Sequence, residues 1–422
     1  MTAFVEVMTL IWSAWWAWRA AVRLLRGDRN SLLVIYLFFF LEYAIPLGID
    51  QVSGIPQYTR QHGFAVSSQD AYVRLIYCVF VLVVPPIWLW STPSHRTTPF
   101  TPSPLWVGVM LRIGSFAPIY TLFIVPQPTI YLSYAGIMDS SLPLIVKVFH
   151  IIVSIATLIA VFCVAMRFLT TKLTRMMIAE AILAVAISIW LNGKRYILAE
   201  AIMLITLALW YRGILKGKRL VWAAVCGGVT LGTFSVIYEA TIRDISMQAS
   251  TRDAALDGAR IDYTRDSRVR MAIYAELYPD KMQILEYRGQ DLVYYATSWV
   301  PRVMWPGKPW SYANHFTNAM LNQYPKKLTW GMTTGVFDEA IASAGFLGII
   351  LGPLLVKGLC AFGDGARGWN THVLTVLVGV LIMSVQLTAF MPMLGFWLYS
   401  IVTEKSGRRS RKYFALEGKV RA

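Results

Sequence analysis

The chain reads as an all-α polytopic membrane protein of about eleven spanning helices, interrupted by one large polar, helical loop. Three observations predict this. Of its 422 residues, 56% are hydrophobic and 14% aromatic, and the mean hydropathy is +0.53. That is not the surface-to-core mixture of a soluble domain. Apolar runs of roughly 18 residues or more recur along the chain, and in hydrocarbon a helix satisfies its own backbone hydrogen bonds. The third observation is the interruption itself, at 241–330, which carries VPRVMWPGKPW at 300–310 and no cysteine.

Taken in order, the runs at 3–20, 31–49, 72–90, 105–125, 144–168, 176–192, 195–211, 220–240 and 336–359 each predict a span. At about 1.5 Å per residue the stretch 371–402 suits two short helices broken near Pro392. The expected organisation is N-terminal spans over 1–240, a polar loop over 241–335, C-terminal spans over 336–402 and a basic tail over 403–422.

Loop charge orients the stack, because Lys and Arg are retained in the cytoplasm beside span ends. Basic connections fall at 19–29, 95–96, 167–175, 212–219 and 357–367 and in the tail at 405–421, each after an odd-numbered span. The loops at 50–70, 126–143 and 192–194 and the large segment therefore face the other side, with the N-terminus outside and the C-terminus in the cytoplasm. The net charge of +16 sits mostly in the cytoplasmic connections, where topology and anionic lipid account for it without nucleic acid. The first apolar run is followed by its basic cluster rather than preceded by it, so no cleavable signal peptide is expected. Cys78, Cys163, Cys226 and Cys360 fall in or at the ends of spans, which argues against a disulfide framework or a zinc site. Neither GxxxxGK[ST] nor a strand-borne GxGxxG is present, and no DxD pair offers to hold a metal and a nucleotide sugar. No metal and no cofactor is expected.

Ionisable residues inside spans are functional candidates by default. Glu42, Asp50, Lys147, His150, Lys194, Arg195 and Glu200 all fall toward the outer leaflet, a mixed-charge collar beneath the large loop. Arg19, Arg23, Arg175 and Glu180 lie near cytoplasmic ends, where snorkelling and pairing suffice. Arg112 is deeper and is either a partner to a carboxylate or functional. The turn NGKRY at 192–196 places Lys194 and Arg195 on the side that is usually depleted of cations, so something anionic is expected there. A guanidinium binds diphosphate oxygens bidentately, and Lys adds a compact charge.

Within the large segment, TRDSRVRMAIYAELYP at 264–279 has helical character, with Arg265, Arg268 and Arg270 near its start. Those cations oppose the helix dipole, which is sensible if they serve a ligand; pairing with Asp262 and Asp266 is the plainer alternative. Downstream, Pro301, Pro306 and Pro309 stiffen a turn bearing Arg302 and Lys308 among Trp305 and Trp310. Such a turn fits a lipid diphosphate with attached sugars, or an interfacial anchor.

NGKRYILAEAIMLITLALWYRGILKGKR resembles the G-(K/R)-R turn and following span of bacterial oligosaccharide repeat-unit polymerases, the Wzy class of O-antigen and exopolysaccharide polymerases. SWVPRVMWPGKPW resembles their "PR..WP.KP" signature, and TGVFDEAIASAGFLGIILGPLL the small-residue span after it; the likeness covers roughly 190–360. The resemblance implies a GT-C-like enzyme of the bacterial inner membrane, its large loop periplasmic, without metal or cofactor. Its substrates would be undecaprenyl-diphosphate-linked glycans, and its partners the chain-length regulator and flippase of the same pathway. Arg195 and Arg302 would stabilise the leaving diphosphate, with Lys194, Arg268, Arg270, Lys308, Trp305 and Trp310 binding substrate. Glu339 or Asp338 would accept the attacking hydroxyl's proton or hold an arginine in place, and His150 and His315 are further candidates in the outer layer. An O-antigen ligase would use similar cations on a different acceptor, and a lipid-linked glycan flippase should show paired, broken helices in two halves.

Overall fold

A computed structural model of the chain describes residues 2–58, 61–90, 92–94, 105–126, 128–129, 144–192, 196–241, 260, 264–323, 331–366, 368–391 and 393–404. Every secondary-structure element among these residues is helical. Five helices are long and apolar enough to cross a membrane: Ser31–Ser53, Ala71–Leu89, Ile152–Thr170, Arg175–Asn192 and Val336–Asp364. Shorter apolar helices stand at Leu105–Gly114, Ile197–Tyr211 and Thr371–Ser384, and helices Thr2–Leu25 and Lys218–Thr241 occupy two further expected spans. In 371–402 the helix stops at Ser384, a 3₁₀ turn follows at Leu387–Ala389, and residues 393–404 are helical again. The interruption thus begins well before Pro392, which itself lies outside the described residues.

Packing groups the chain differently from its sequence order. Residues 1–97 associate with 249–422, and 98–248 form a second unit. In the second unit, Glu180 on Arg175–Asn192 holds Arg167 at 2.6 Å and also pairs with Arg112, so Arg112 has the carboxylate partner that was one of its two readings. Arg212 donates to the carbonyls of Phe168 (2.9 Å) and Thr171 (2.6 Å), tying off the end of Leu144–Thr170.

The first unit is a bundle whose helices alternate in direction. At one end, Ser31 donates its amide and hydroxyl to Asp364 (3.1 and 2.5 Å), and His372 Nδ1 lies 2.8 Å from the same carboxylate. Lys357 donates to the carbonyl of Ile87 at 2.7 Å there. At the other end, Arg74 pairs with Glu6 and Gln51 donates to the same carboxylate, both at 2.6 Å. Between the ends lie the fully buried rings of Phe39, Tyr43, Phe80, Trp88 and Phe337, with Tyr43 and Phe337 centroids 5.3 Å apart. Interlocked rings suit a bundle in lipid, where van der Waals fit rather than water exclusion holds helices together. Gly335 sets the closest approach: a Cβ there would stand 2.0 Å from the Met383 carbonyl, so only glycine lets this turn meet the end of Trp369–Ser384.

Residues 264–323 cap the end that holds Glu6 and Arg74. Pro46 explains how they attach. Lacking an N–H, it cannot bond the carbonyl of Glu42 four residues back, and the helix opens into a π turn at Phe40–Ala44. The Glu42 carbonyl accepts instead from the Arg265 amide at 3.1 Å. Further along the cap, Tyr278 donates to Asp70 (3.0 Å), Tyr295 to Glu339 (2.7 Å) and Tyr312 to the Asp338 carbonyl (3.1 Å).

Candidate functional site

Helix Asp266–Leu277 presents two faces of opposite use. Asp266 and Arg270 lie one turn apart on one face, and Arg268 points the other way, since 3.6 residues per turn rotates it by about 200°. On the first face, Arg260 reaches Asp50 at 2.9 Å and Asp266 at 2.6 Å. Arg270 reaches Asp50 at 2.8 Å and Asp266 at 3.4 Å. Thr264 donates to Asp266 at 2.6 Å, Arg260 to the Pro46 carbonyl at 3.1 Å, and the Arg270 guanidinium stands 4.9 Å from the Tyr77 ring centre. Two cations and two anions cancel. Burial alone would raise the Asp266 pKa, yet Arg260 and Arg270 hold it below the ordinary carboxylate value. The same anions raise Arg270 against its own burial. Arg270, expected to bind substrate, is therefore committed to a neutral ionic clasp.

Arg268, on the second face, is buried, and its Nη2 donates to Thr333 at 3.1 Å. Its Nη1 is shielded from solvent without a hydrogen-bond acceptor. Burial, then the like charge of Arg265, press its pKa down to about 9, with Asp338 and Glu42 pulling the other way. The cation persists at neutral pH. Asp338 and Glu339 open helix Val336–Ala344 and are both buried, but they differ in what they have left. Glu339 accepts from Thr334 at 2.9 Å and from Tyr295 at 2.7 Å, so both oxygens are engaged. Asp338 accepts from the Gly335 amide at 2.9 Å through Oδ1, and Oδ2 is buried with no hydrogen bond. Glu42, on the π turn, holds the Ser384 hydroxyl at 2.9 Å from each oxygen. One end of the bundle thus carries a buried arginine with no ion pair among the described residues and a buried carboxylate with an unused oxygen; Arg270 also leaves Nε and Nη1 without an acceptor, but its charge is met by Asp50 and Asp266.

The proline-rich turn is arranged otherwise than expected for a diphosphate cradle. Arg302 donates to the carbonyls of Lys308 (2.7 Å) and Pro309 (2.9 Å) and lies 3.6 Å from the Trp310 ring centre. Buried Lys308 donates to the carbonyls of Ser298 (3.0 Å) and Val300 (2.9 Å). Both cations staple the turn from within, because prolines and a glycine leave its carbonyls short of local donors. Trp305 projects into the surroundings, and His315 is buried in helix Tyr312–Met320. Lys194 and Arg195 lie outside the described residues, as does the side chain of His150 on Leu144–Thr170. Glu200 is buried in the second unit, with neither oxygen hydrogen-bonded among the described residues.

No family model, curated protein or solved structure matches the chain. The site therefore rests on its own residues. Sequence reading had placed Glu42 among the charged candidates but left out Tyr295, Thr333, Thr334 and Ser384, which come from three separate segments. Glu42 was legible as an acid inside an apolar run, with Pro46 four residues later pointing to the opened helix around it, whereas the four hydroxyl-bearing residues carried no such signal.

Proposed function

We propose that the chain is a metal-independent glycosyltransferase that polymerises undecaprenyl-diphosphate-linked oligosaccharide repeat units on the periplasmic face of a bacterial inner membrane. The observation that carries this reading is that Arg268 and Asp338, both buried and each acting on the other's charge, keep an open donor and an open acceptor respectively. In the reaction, a sugar hydroxyl on an incoming lipid-linked repeat attacks the anomeric carbon of the growing chain, and the bond from that carbon to the lipid diphosphate breaks. The hydroxyl proton passes to Asp338 Oδ2, and Arg268 meets the charge gained by the departing diphosphate. Glu339, held by Thr334 and Tyr295, keeps Asp338 and the start of its helix in place. Preorganised donors in a water-poor site supply what a metal would otherwise supply.

The remaining parts of this reading are about eleven spans in a GT-C-like arrangement, the N-terminus in the periplasm and the C-terminus in the cytoplasm. A chain-length regulator and a flippase would act alongside it. The resemblance of 300–310 and 334–355 to repeat-unit polymerases supports it, as does the capping segment lying at the same end as Asp338. The test is reconstitution. Purified protein in nanodiscs, supplied with lipid-diphosphate-linked repeat units, should lengthen them stepwise. Transfer to a lipid A core acceptor alone would replace polymerase by ligase, and no transfer with movement of the lipid across the bilayer would replace it by flippase.

A further inference from the structure

The turn at 297–310 is turned inside out relative to a solvated loop. Its cations face inward and its apolar side chains outward: Val303 is 93% exposed, Trp299 80% and Met304 77%, with Leu292 also exposed on the helix just before the turn. In water such a surface is a liability.

The backbone points to what covers it. In hydrocarbon an unbonded peptide group is expensive, so a loop can meet lipid only if it satisfies its own polar atoms. This one satisfies about half of them, enough for the boundary with the headgroups, where water still reaches, but not for the hydrocarbon itself. The Thr297 carbonyl accepts from the Val300 amide, Pro301 from Met304 and Trp305, and Trp305 from Lys308. The Ala296 carbonyl takes the Trp299 indole N–H at 2.9 Å. Lys308 and Arg302 close the carbonyls of Ser298, Val300, Lys308 and Pro309. Pro301, Pro306 and Pro309 have no N–H to leave unbonded. The turn also hangs at the right level. It follows Tyr295, whose hydroxyl bonds Glu339 in the first turn of the span Val336–Asp364, and Asp291, which accepts from Ser343 at 2.5 Å. Exposed Phe346 and Leu347 continue the apolar surface into the lipid-facing side of that span at Ile350 and Leu354.

We infer that the turn is a membrane foot: Trp299, Val303 and Met304 enter the boundary between headgroups and acyl chains of the bilayer around the span mouth. Trp305 sits at headgroup level, where tryptophan prefers to be. Arg302 and Lys308 hold the turn's shape rather than a diphosphate. This inference is independent of the proposed chemistry.

The experiment places an environment-sensitive fluorophore on Met304→Cys, and separately on Asp280→Cys, in a variant lacking Cys78, Cys163, Cys226 and Cys360. Met304 and Asp280 are both exposed, so neither label disturbs packing. In vesicles of phosphatidylcholine brominated on its acyl chains, the Met304 label should emit to the blue and be quenched by the bromines but not by aqueous iodide. The Asp280 label should show the reverse. Iodide quenching at Met304 equal to that at Asp280 would overturn the inference. Shielding from both quenchers would overturn it too, by showing the turn covered by protein, and a second copy would then show as a larger particle in detergent.

Discussion

Asp50 and Arg270 stand 2.8 Å apart with both side chains wholly screened from solvent, joining the end of the apolar helix Ser31–Ser53 to the capping helix. Neither can be neutralised alone without leaving a buried charge. Asp50→Asn should therefore destabilise the protein by about 3–5 kcal/mol, read as a lower midpoint of thermal unfolding in detergent. Asp50→Asn combined with Arg270→Gln restores neutrality and should recover part of the loss. An unaltered midpoint for the single variant would show that the clasp does not hold the cap.

The clasp also has a pH signature. Asp266 is held below the ordinary carboxylate value by Arg260 and Arg270, so its contribution to stability is complete above about pH 4 and lost as pH falls through the lower folded value. The stability gap between the wild type and Asp266→Asn should be constant from pH 7 to pH 5 and narrow only in more acid solution. A gap that closes between pH 7 and pH 5 would mean that Asp266 binds its proton more readily than its partners allow.

Arginine variants separate chemistry from shape. Arg268→Lys keeps the charge but loses the fork and should cut chain elongation by ~10² to 10³. Arg302→Lys removes the donors to the Lys308 and Pro309 carbonyls, so it should loosen the turn, by about 1.5–3 kcal/mol per charged hydrogen bond, while the reacting groups stay intact. Repeat-unit ladders and limited proteolysis of the turn, at matched membrane levels, distinguish the two. Full ladders from Arg268→Lys would remove it from the site.

The paired acids should behave unequally. Asp338→Asn abolishes the open proton acceptor and should slow elongation by ~10² to 10⁴. Glu339→Gln retains an acceptor for Thr334 and should cost much less. Equal losses would place both acids in a positioning role.

Elongation by the purified protein should survive excess EDTA, because the proposed leaving group is met by Arg268 rather than by a metal. Activity lost to chelation and restored by Mg²⁺ would end the arginine mechanism.

Much of the architecture was legible in the chain. Apolar length foresaw the helices, because a backbone in hydrocarbon has few other ways to bond itself, but five of them are long enough to cross and the expected span 105–125 breaks after Gly114 into two short helices. The polar interruption, the stiff proline turn and the acids at 338 and 339 were equally visible. Unlike these local features, partners and exposures were hidden. Arg268 and Arg270 stand two residues apart in similar surroundings, yet a half-turn of helix sends one to Asp50 and the other toward Asp338. Arg302 and Lys308 read as ligands for an anion until the fold shows them bonded to their own loop.

Composition and periodicity thus determined that this is a helical membrane protein with one large polar, helical interruption, since spanning length and backbone satisfaction are local properties; that the interruption caps one end was decided by contacts. Which cation is ion-paired to carboxylates and which is not was decided by tertiary contacts alone. Glu42 and Asp50 on one span, Thr333 before another and Ser384 at the end of a third helix come from three distant segments, and only their meeting around one helix sets the charge balance that separates Arg270 from Arg268.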